Sequence, residues 1–464
     1  MRTPPINLLN LEFDRDGPWS FGTGSQGTII AGKPFNISIQ CDAEVVGKGG
    51  FECADQWAVH FRGPLAVTIP TTHELYHHDA ATGTTVVTCT LQQSGVYEVW
   101  AWYDLKTEGG CPANNDQRLV PKVRGSGQKL VTVARSPDPT PFHLLDNSRP
   151  CSAIDYRTML PGRWVSIAHI RPEYKASWWG AAQIARSESV YPSDVLPGYI
   201  YLPYQCKRRP LDYARSVSEI KDMKHVVYIG DSILRTSVCG HLYRALNNGT
   251  ASGACAYSDD MHAYQIADRT WEQLLPDKSD PRGSIRFTQH FVNDWPAKAL
   301  EDVDVVVNTS EPVTHVVANI GMWFGHVPEE MYINQATYVM DRILTVFGTT
   351  PRYTWMHTTS IGTGIFCYDR GMKRIWTRRH RDYATTALRK WHARYPEVRL
   401  NIYDPWPIMD GRHETASDGR HWVKETWWPS LTERPHVGAA DDASMEGIWD
   451  AWHAFYIEEK GFVY

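Results

Sequence analysis

A serine with the surroundings of a nucleophile lies near the middle of the chain. Ser232 closes the tripeptide Gly230-Asp231-Ser232, which follows a short apolar run that predicts a strand and precedes a helical segment. In open α/β sheets, reacting groups collect at the carboxyl ends of strands, and a helix amino terminus favours developing negative charge. Ser232 is therefore a candidate nucleophile, and the alternative is an ordinary helix N-cap.

Imidazole and carboxylate groups that could activate a serine occur together near the other end of the chain. The tetrapeptide Asp-Gly-Arg-His occurs twice, from Asp410 to His413 and from Asp418 to His421. A serine hydroxyl needs an imidazole to take its proton, and a carboxylate fixes the tautomer of that imidazole. The residue types alone do not determine which of the two units supplies the imidazole and the carboxylate. A metal cluster formed by both pairs and a solvated loop are the other interpretations.

Four segments, in one order along the chain, carry a resemblance to a known family. They are Cys151 to Trp164 with its Gly162-Arg-Trp164 element, Gly230-Asp231-Ser232-x-x-Arg235, Asn319-Ile-Gly321-Met-Trp323, and Asp418-Gly-Arg-His421-Trp422. The set resembles the PC-esterase superfamily, which includes plant trichome-birefringence-like polysaccharide O-acetyltransferases, fungal capsule O-acetyltransferases, and neurexophilin and PC-esterase proteins. The resemblance covers about residues 145 to 460. It implies a three-layer α/β domain like that of SGNH, or GDSL-like, hydrolases.

The resemblance implies a role for each matching residue of the reaction centre. Ser232 would be the nucleophile, His421 the general base, and Asp418 the carboxylate that orients it. The backbone N–H of Ser232 and the side chain of Asn319 would form the oxyanion hole, aimed at charge that develops on the acyl carbonyl. The alternative for Asn319 is a cap at the end of its strand. Asp231 would shape the turn before the nucleophile.

The other Asp-Gly-Arg-His unit and the residues beside the motifs supply further candidates. His413 is the second candidate for the base, Asp410 takes a supporting position, and no metal is expected. Substrate contacts are expected from Arg235, Trp323 and Trp422, because sugar rings present C–H faces that pack on aromatic planes. The alternatives are a core position for each tryptophan and an ion pair for Arg235.

Two regions of different hydrophobic periodicity have to position these residues. From residue 30 to 135, alternating apolar runs separated by Gly, Pro and Asp predict a β-sandwich of the immunoglobulin or filamin type, within a first domain over 1–140. The proline-rich stretch 136–141 is typical of a linker. From 141 to 464, apolar strands alternate with helical segments, which predicts an α/β domain with a parallel sheet. The predicted strands are 226–229, 303–307, 316–320, 353–356 and 398–403, and the predicted helices are 331–347, 383–394 and 443–458.

Composition and charge exclude several classes of protein. The 464 residues are 42% hydrophobic and 21% charged, which is typical of a globular protein and excludes a disordered or fibrous chain. The net charge of −5 provides no global field for phosphate backbones, so nucleic acid is not expected as a partner. No apolar run approaches the roughly 18 residues of a membrane span.

Cysteines and glycosylation sequons indicate the compartment. None of the nine cysteines forms a C-x-x-C pair, and four of them fall within the first 111 residues, where a disulfide framework is expected. Asn-x-Ser/Thr sequons begin at Asn36, Asn248 and Asn308. Together they predict a secreted or Golgi-lumenal glycoprotein whose signal or anchor has been removed. The sequence leaves the disulfide pairing open.

The leading hypothesis for the function is a polysaccharide or glycan O-acetyltransferase that works through a Ser-His-Asp triad and an acyl-enzyme. Its donor would be acetyl-CoA or another acetyl ester, used as a co-substrate, with no bound cofactor. A carbohydrate acetyl esterase would use the same triad with water as the acceptor. The third alternative is a non-catalytic glycan-binding protein on an α/β scaffold.

Overall fold

The structure is a computed structural model of the chain. It describes residues 16–22, 27–41, 57–70, 74–103, 122–137, 149, 151–152, 155, 162–170, 172–177, 181, 184, 198–206, 219–231, 233–234, 269–275, 278–292, 312–324, 327–360, 374–412, 423–424 and 436–437. Two sheets of very different composition dominate this part of the chain.

The first sheet connects twelve strands, ten of which come from the amino-terminal region. These ten are β1 (Asp16–Phe21), β2 (Ile29–Ile30), β3 (Pro34–Cys41), β4 (Trp57–Arg62), β5 (Leu65–Thr68), β6 (Tyr76–Asp79), β7 (Thr84–Thr90), β8 (Gly95–Tyr103), β9 (Lys122–Arg124) and β10 (Lys129–Ala134). The order of strands along the sheet is β6-β7-β3-β1-β9-β8-β4-β5, with β10 paired to β8 and β2.

Alternating burial explains why the amino-terminal strands could be predicted. In β7 every second residue is buried, so that Thr85, Val87 and Cys89 face inward. The apolar faces meet in one hydrophobic core, which includes Phe61 and Tyr97 as edge-to-face aromatic neighbours with ring centroids 6.5 Å apart. The predicted strands of this region are confirmed. The immunoglobulin or filamin type of arrangement stays a prediction.

Two strands from beyond residue 140 extend this sheet. They are β11 (Gly162–Ser166) and β12 (Tyr199–Pro203). Strand β11 pairs with β5 through Trp164 and Ala66, and with β12 along its whole length. The inward side chains of β11 and β12 join the same core as the amino-terminal strands. The outward side chains, among them Trp164 and Tyr199, lie on the opposite face of the sheet.

The second sheet has six strands and is almost entirely parallel. They are β13 (His225–Gly230), β14 (Arg269–Leu274), β15 (Ser284–Phe291), β16 (His315–Ala318), β17 (Arg352–Met356) and β18 (Arg399–Tyr403). Their spatial order is β14-β15-β13-β16-β17-β18, and only β14 runs antiparallel to its neighbour. Strands β13, β16 and β17 are buried at every position, as expected of parallel strands covered on both faces. This confirms the α/β class with a parallel sheet.

Four α-helices are described over their whole length, and the two long ones cover one face of the parallel sheet. They are α1 (Pro172–Ala176), α2 (Glu329–Phe347), α3 (Arg374–Arg394) and α4 (Trp406–Asp410). Helix α2 begins with Glu329 and Glu330, whose charges complement the helix dipole, and it ends at Gly348, where φ is 72°. Its buried residues follow helical spacing and pack with α3 on the sheet.

The helix and strand predictions for the α/β part have different outcomes. The predicted helix 331–347 is confirmed as α2, whereas the helix predicted over 383–394 begins earlier, at Arg374. The strand predicted over 303–307 and the helix predicted over 443–458 lie outside the described residues. A short antiparallel pair, β19 (Val423–Lys424) and β20 (His436–Val437), follows α4.

Disulfide bonds and one free thiol account for four of the nine cysteines. Cys151 and Cys206 form a disulfide, with Cα atoms 4.8 Å apart, and Cys41 is also disulfide-bonded. Cys89 is a free thiol in the amino-terminal core, where burial raises its pKa and keeps it protonated. Among the described helices, none is both long and apolar enough to span a membrane.

Candidate active site

Sheet topology identifies the edge at which a site is expected. Counted in chain order, the five parallel strands β13, β15, β16, β17 and β18 are arranged as 2-1-3-4-5. The strand order therefore reverses between β13 and β16, and such a reversal marks a crevice outside the carboxyl ends of these two strands. Open α/β sheets bind their ligands at such a switch point. The Gly-Asp-Ser motif follows β13 and Asn319 follows β16, so both sequence motifs meet at this crevice.

Asp231 links the turn after β13 to the loop after β16. Its side chain is buried, and Oδ1 accepts a hydrogen bond from the Ile233 backbone N–H at 2.9 Å. A side chain that accepts from the backbone two residues further on is typical of an Asx-turn. The other carboxylate oxygen, Oδ2, accepts from the backbone N–H of Met322 at 3.3 Å. The bond from Met322 joins the two motifs, and the bond from Ile233 agrees with the predicted turn-shaping role of Asp231.

Close approach of backbone makes glycine necessary at the end of β13. The Asn319 backbone N–H donates to the Ile229 carbonyl at 2.9 Å, which places Asn319 directly beside Gly230. A Cβ added to Gly230 would lie 2.8 Å from the Asn319 carbonyl oxygen and 2.9 Å from a methyl group of Leu234. Any larger residue at position 230 would therefore separate β13 from the loop that carries Asn319.

The Asn319 side chain is fully buried, and its orientation is fixed by the next strand. Its Nδ2 donates to the Met356 carbonyl at 2.9 Å, which uses one of the two amide N–H groups. Its Oδ1 accepts no hydrogen bond. Asn319 thus braces the ends of β16 and β17, as the capping alternative expected, and it retains a second N–H that an oxyanion could use.

A buried tyrosine holds the loop between Asn319 and Met322. The Tyr332 hydroxyl, on α2, donates to the Ile320 carbonyl at 3.0 Å. Burial, followed by the Asp231 carboxylate, raises the pKa of Tyr332, so the hydroxyl remains a neutral donor. Gly321 has φ 131°, and a Cβ there would lie 3.0 Å from the tyrosine hydroxyl oxygen. The loop conformation therefore depends on Gly321 and Tyr332 together.

A buried histidine at the end of β17 was not singled out from the sequence. The Thr385 hydroxyl donates to the Arg381 carbonyl at 3.0 Å, so the His357 Nε2–H, 3.0 Å from that hydroxyl, must be the donor between them. The opposite ring nitrogen, Nδ1, is then an acceptor, and it has no partner. Burial, followed by Arg381, lowers the pKa of His357 to about 3, so the ring is neutral at physiological pH. Its position directly after an apolar strand was the one signal in the sequence.

Asp404, at the end of β18, is the other strand-end residue that sequence reasoning missed. Its Oδ2 lies 2.7 Å from Nε of Arg381, and its Oδ1 accepts from the Trp406 backbone N–H at 3.1 Å. Burial raises the pKa of Asp404 to about 6 although Arg381 opposes that shift. Asp404 and Arg381 thus form an ion pair that ties α3 to the start of α4.

A buried arginine binds the Asp410 carboxylate. Nε and Nη2 of Arg374 donate to its two carboxylate oxygens at 2.6 and 2.7 Å, and the Ser360 hydroxyl donates to Oδ1 at 2.7 Å. Both Arg374 and Asp410 are buried. Both carboxylate oxygens of Asp410 therefore take part in an ion pair with Arg374. No metal-binding group of His, Cys, Asp or Glu occurs among the residues that the structure describes.

The structure brings Asp231 and Asn319 together and leaves most other predicted site residues outside the described chain. The backbone of Trp323 belongs to a short turn, Met322–Phe324. The predicted site residues outside the described part are Ser232, Arg235, His413, Asp418, His421 and Trp422. Their roles stay predictions. Ile233, which follows Ser232, and Arg412, which precedes His413, are both described and buried.

Comparison with known proteins finds similarity among solved structures only. No protein-family model matches the chain, and no curated protein matches it. A GDSL-like lipase from Bacteroides thetaiotaomicron has a TM-score of 0.28 and 13% identity, over 51% of this chain and 97% of that chain. A carbohydrate acetylesterase from Sinorhizobium meliloti has a TM-score of 0.26 and 12% identity, over 51% and 99%. The aryl esterase of M. smegmatis has a TM-score of 0.27 and 12% identity, over 52% and 100%. At these low scores, the chemistry has to be inferred from the residues of this chain.

Proposed function

We propose that this protein is a serine-dependent acyltransferase that moves an acetyl group from an ester donor to a hydroxyl of a glycan. Ser232 is the nucleophile, His421 the general base and Asp418 its partner. The proposal combines the Gly-Asp-Ser, Asn319 and Asp418–His421 motifs of the sequence with the reversal of strand order in the parallel sheet.

Acyl transfer proceeds in two balanced steps at this site. In the first, Ser232 Oγ attacks the acetyl carbonyl while His421 takes the hydroxyl proton, and the donor's leaving group departs with that proton. In the second, His421 takes a proton from a glycan hydroxyl, whose oxygen attacks the acetyl-serine and releases Ser232 Oγ, which recovers the proton. In both steps, charge develops on the acetyl carbonyl oxygen, where the Ser232 backbone N–H and the second N–H of Asn319 would donate.

The observation that supports this proposal most is the link between the Gly-Asp-Ser turn and the Asn319 loop. Asp231 accepts hydrogen bonds from Ile233 and from Met322, one on each side of the crevice. A simple helix cap would explain the first bond and would not require the second. An oxyanion hole built from both loops requires them to keep a fixed distance.

The compartment and substrate belong to the same proposal. The disulfide between Cys151 and Cys206 supports a secreted or Golgi-lumenal protein, because such bonds persist in oxidising compartments. Polysaccharides are abundant acceptors there, and Trp323 and Trp422 would contact their sugar rings, with Arg235 near the acceptor hydroxyl.

A mass-spectrometric assay tests the proposed function. The protein is incubated with an activated acetyl ester and panels of neutral, uronic-acid-containing and pre-acetylated oligosaccharides, with the Ser232→Ala variant as the control. We expect one glycan class to gain about 42 Da, the mass of an acetyl group, and only with Ser232 present. A serine-dependent loss of the same mass from the pre-acetylated panel would show an acetyl esterase instead. No change in any panel would favour the glycan-binding alternative.

A further inference from the structure

The amino-terminal sheet packs its outer face on the segment that leads into the second Asp-Gly-Arg-His unit. The outward side chains of β5, β11 and β12 include Thr68, Trp164 and Tyr199. Opposite them lie the end of α4 and residues 411–412. The first sheet therefore contacts the carboxyl edge of the second, on the side where the candidate active site is expected.

Two side chains of the sheet bind backbone carbonyls of this segment. The Trp164 Nε1–H donates to the Ile408 carbonyl at 2.6 Å, and the Thr68 hydroxyl donates to the Asp410 carbonyl. Because the Thr68 proton goes to that carbonyl, the His60 Nδ1–H, 3.0 Å away, is the donor to the Thr68 oxygen. A carbonyl near a helix end lacks a partner within its helix, so these bonds satisfy groups that would otherwise be orphaned.

The contact between Trp164 and the chain after α4 is tight. A Cβ at Gly411 would lie 2.6 Å from Cδ1 of Trp164, so glycine allows the ring to touch the backbone. The guanidinium of Arg412 lies 5.2 Å from the Trp164 ring centroid and 4.9 Å from that of Tyr199. Arg412 is only 2% exposed, so it is held between two aromatic faces as a desolvated cation.

The same segment is held from the other side by α3. Arg374 binds both carboxylate oxygens of Asp410, and its Nη2 also donates to the Ile69 carbonyl of the first sheet at 3.3 Å. Residues 408–412 are thus fixed through backbone, side chains and stacking by elements from two distant parts of the chain.

We propose that Thr68, Trp164, Tyr199 and Arg374 form a clamp on residues 408–412 that positions the catalytic base. The inference rests on the proposed function. Asp418 and His421 follow Arg412 by only six and nine residues. A fixed end limits the volume that a short segment samples, and misplacing a catalytic group by about 1 Å can cost about a hundredfold in rate. Trp164 and Thr68 are therefore positioning residues, and the amino-terminal sheet is part of the catalytic unit.

The Trp164→Phe variant tests the clamp, with Trp391→Phe as its matched control. Trp391 is also fully buried, and its Nε1–H donates to Asp341 at 2.8 Å on the far half of α3. Both substitutions remove one indole hydrogen bond and part of a buried ring, so both should lower the melting temperature by similar amounts. We expect the kcat of Trp164→Phe to fall at least about tenfold with KM little changed, and the kcat of Trp391→Phe to stay within about twofold of wild type.

Equal kcat values for the two tryptophan variants would overturn the proposal. Thr68→Val offers a second, milder variant, since it keeps the side-chain volume and removes the donor to the Asp410 carbonyl together with the acceptor of the His60 Nδ1–H. It should lower kcat by about threefold to tenfold. An unchanged kcat in this folded variant would also count against the clamp.

Hydrogen exchange separates failure of the clamp from failure of the proposed function. In the inactive Ser232→Ala background, amides in peptides from 413–424 are measured with and without Trp164→Phe. We expect exchange there to become at least about tenfold faster when Trp164 is replaced, and to stay unchanged with Trp391→Phe. This result would support the clamp even if Ser232 performed no chemistry. Equal exchange in the two variants would refute the clamp even if the acyl transfer were established.

Discussion

The substitution His421→Ala is expected to reduce kcat/KM by about 10⁴-fold or more, and Ser232→Ala should reduce it by a similar factor. His421 and Ser232 act on the same proton, so removal of either disables the same two steps. Asp418→Asn should follow closely, because it allows the wrong imidazole tautomer. His413→Ala should cost less than about tenfold, since its partner carboxylate Asp410 is already bound by Arg374.

Initial rates with an activated acetyl ester would measure these four variants, each shown to be folded by circular dichroism. The structure provides a reason for the ranking of the two histidines that the repeated tetrapeptide does not. In the first unit the carboxylate is used by Arg374 and Ser360, whereas an orienting carboxylate has to accept from the imidazole. A larger loss for His413→Ala than for His421→Ala would overturn the assignment of the base.

Removal of the Arg374 guanidinium is expected to lower the free energy of unfolding by about 3–5 kcal/mol. The substitution Arg374→Ala would remove the bidentate opposite charge from the buried Asp410 carboxylate. It would also leave the Ile69 carbonyl without its guanidinium donor. Arg374→Met with Asp410→Leu should recover much of the loss, because the buried charge is then absent.

Arg394→Ala is the matched control for this substitution. Arg394 lies on the same helix and pairs with Asp341 at 3.3 Å, but the two side chains are 50% and 39% exposed. Exposed ion pairs contribute about 0–1 kcal/mol, so the shift in unfolding free energy should stay below about 1 kcal/mol. Urea denaturation followed by tryptophan fluorescence would measure both variants. Equal losses for the two arginine variants would contradict the account of Arg374 as a buried anchor.

Strands with one buried face and continuously apolar strands were predictable from the sequence, whereas β11 and β12 were not. The amino-terminal strands alternate apolar and polar residues, so their period of two is visible. Strand β12 is buried at all five positions, with tyrosines on its outer face, and shows no alternation. Its partner β11 gives no signal for pairing with β5, about a hundred residues earlier, because such pairing depends on tertiary contacts.

The start of α3 shows why a helix can be missed when its buried face is polar. Arg374, Thr377 and His380 are buried at helical spacing, yet none of them is apolar. Their partners lie on other elements: Asp410 binds Arg374, and the Tyr332 ring stacks on His380 with centroids 4.7 Å apart. Among the described residues of α3 before Tyr383, Trp376 is the only buried apolar side chain, so a regular amphipathic pattern begins at Tyr383, where the predicted helix began.

The candidate site was predictable where a motif follows an apolar strand. That rule located the Gly-Asp-Ser turn, and the family resemblance located Asn319; the sheet order then brings Asp231 and Asn319 to one crevice. It did not select His357 or Asp404, since single polar residues after a strand are common. The clamp at Trp164 was not predictable, because its bond to Ile408 joins positions 244 residues apart.

Trapping the acyl-enzyme on Ser232 tests the central claim most directly. Wild-type protein is mixed with an activated acetyl ester, quenched in acid within milliseconds, digested with trypsin, and analysed by mass spectrometry beside Ser232→Ala. The tryptic peptide 225–235 contains Ser232 as its only serine or threonine. We predict a gain of about 42 Da on that residue, which disappears when a glycan acceptor is added before the quench. Acetylation at another residue, or an equal burst from Ser232→Ala, would contradict the account.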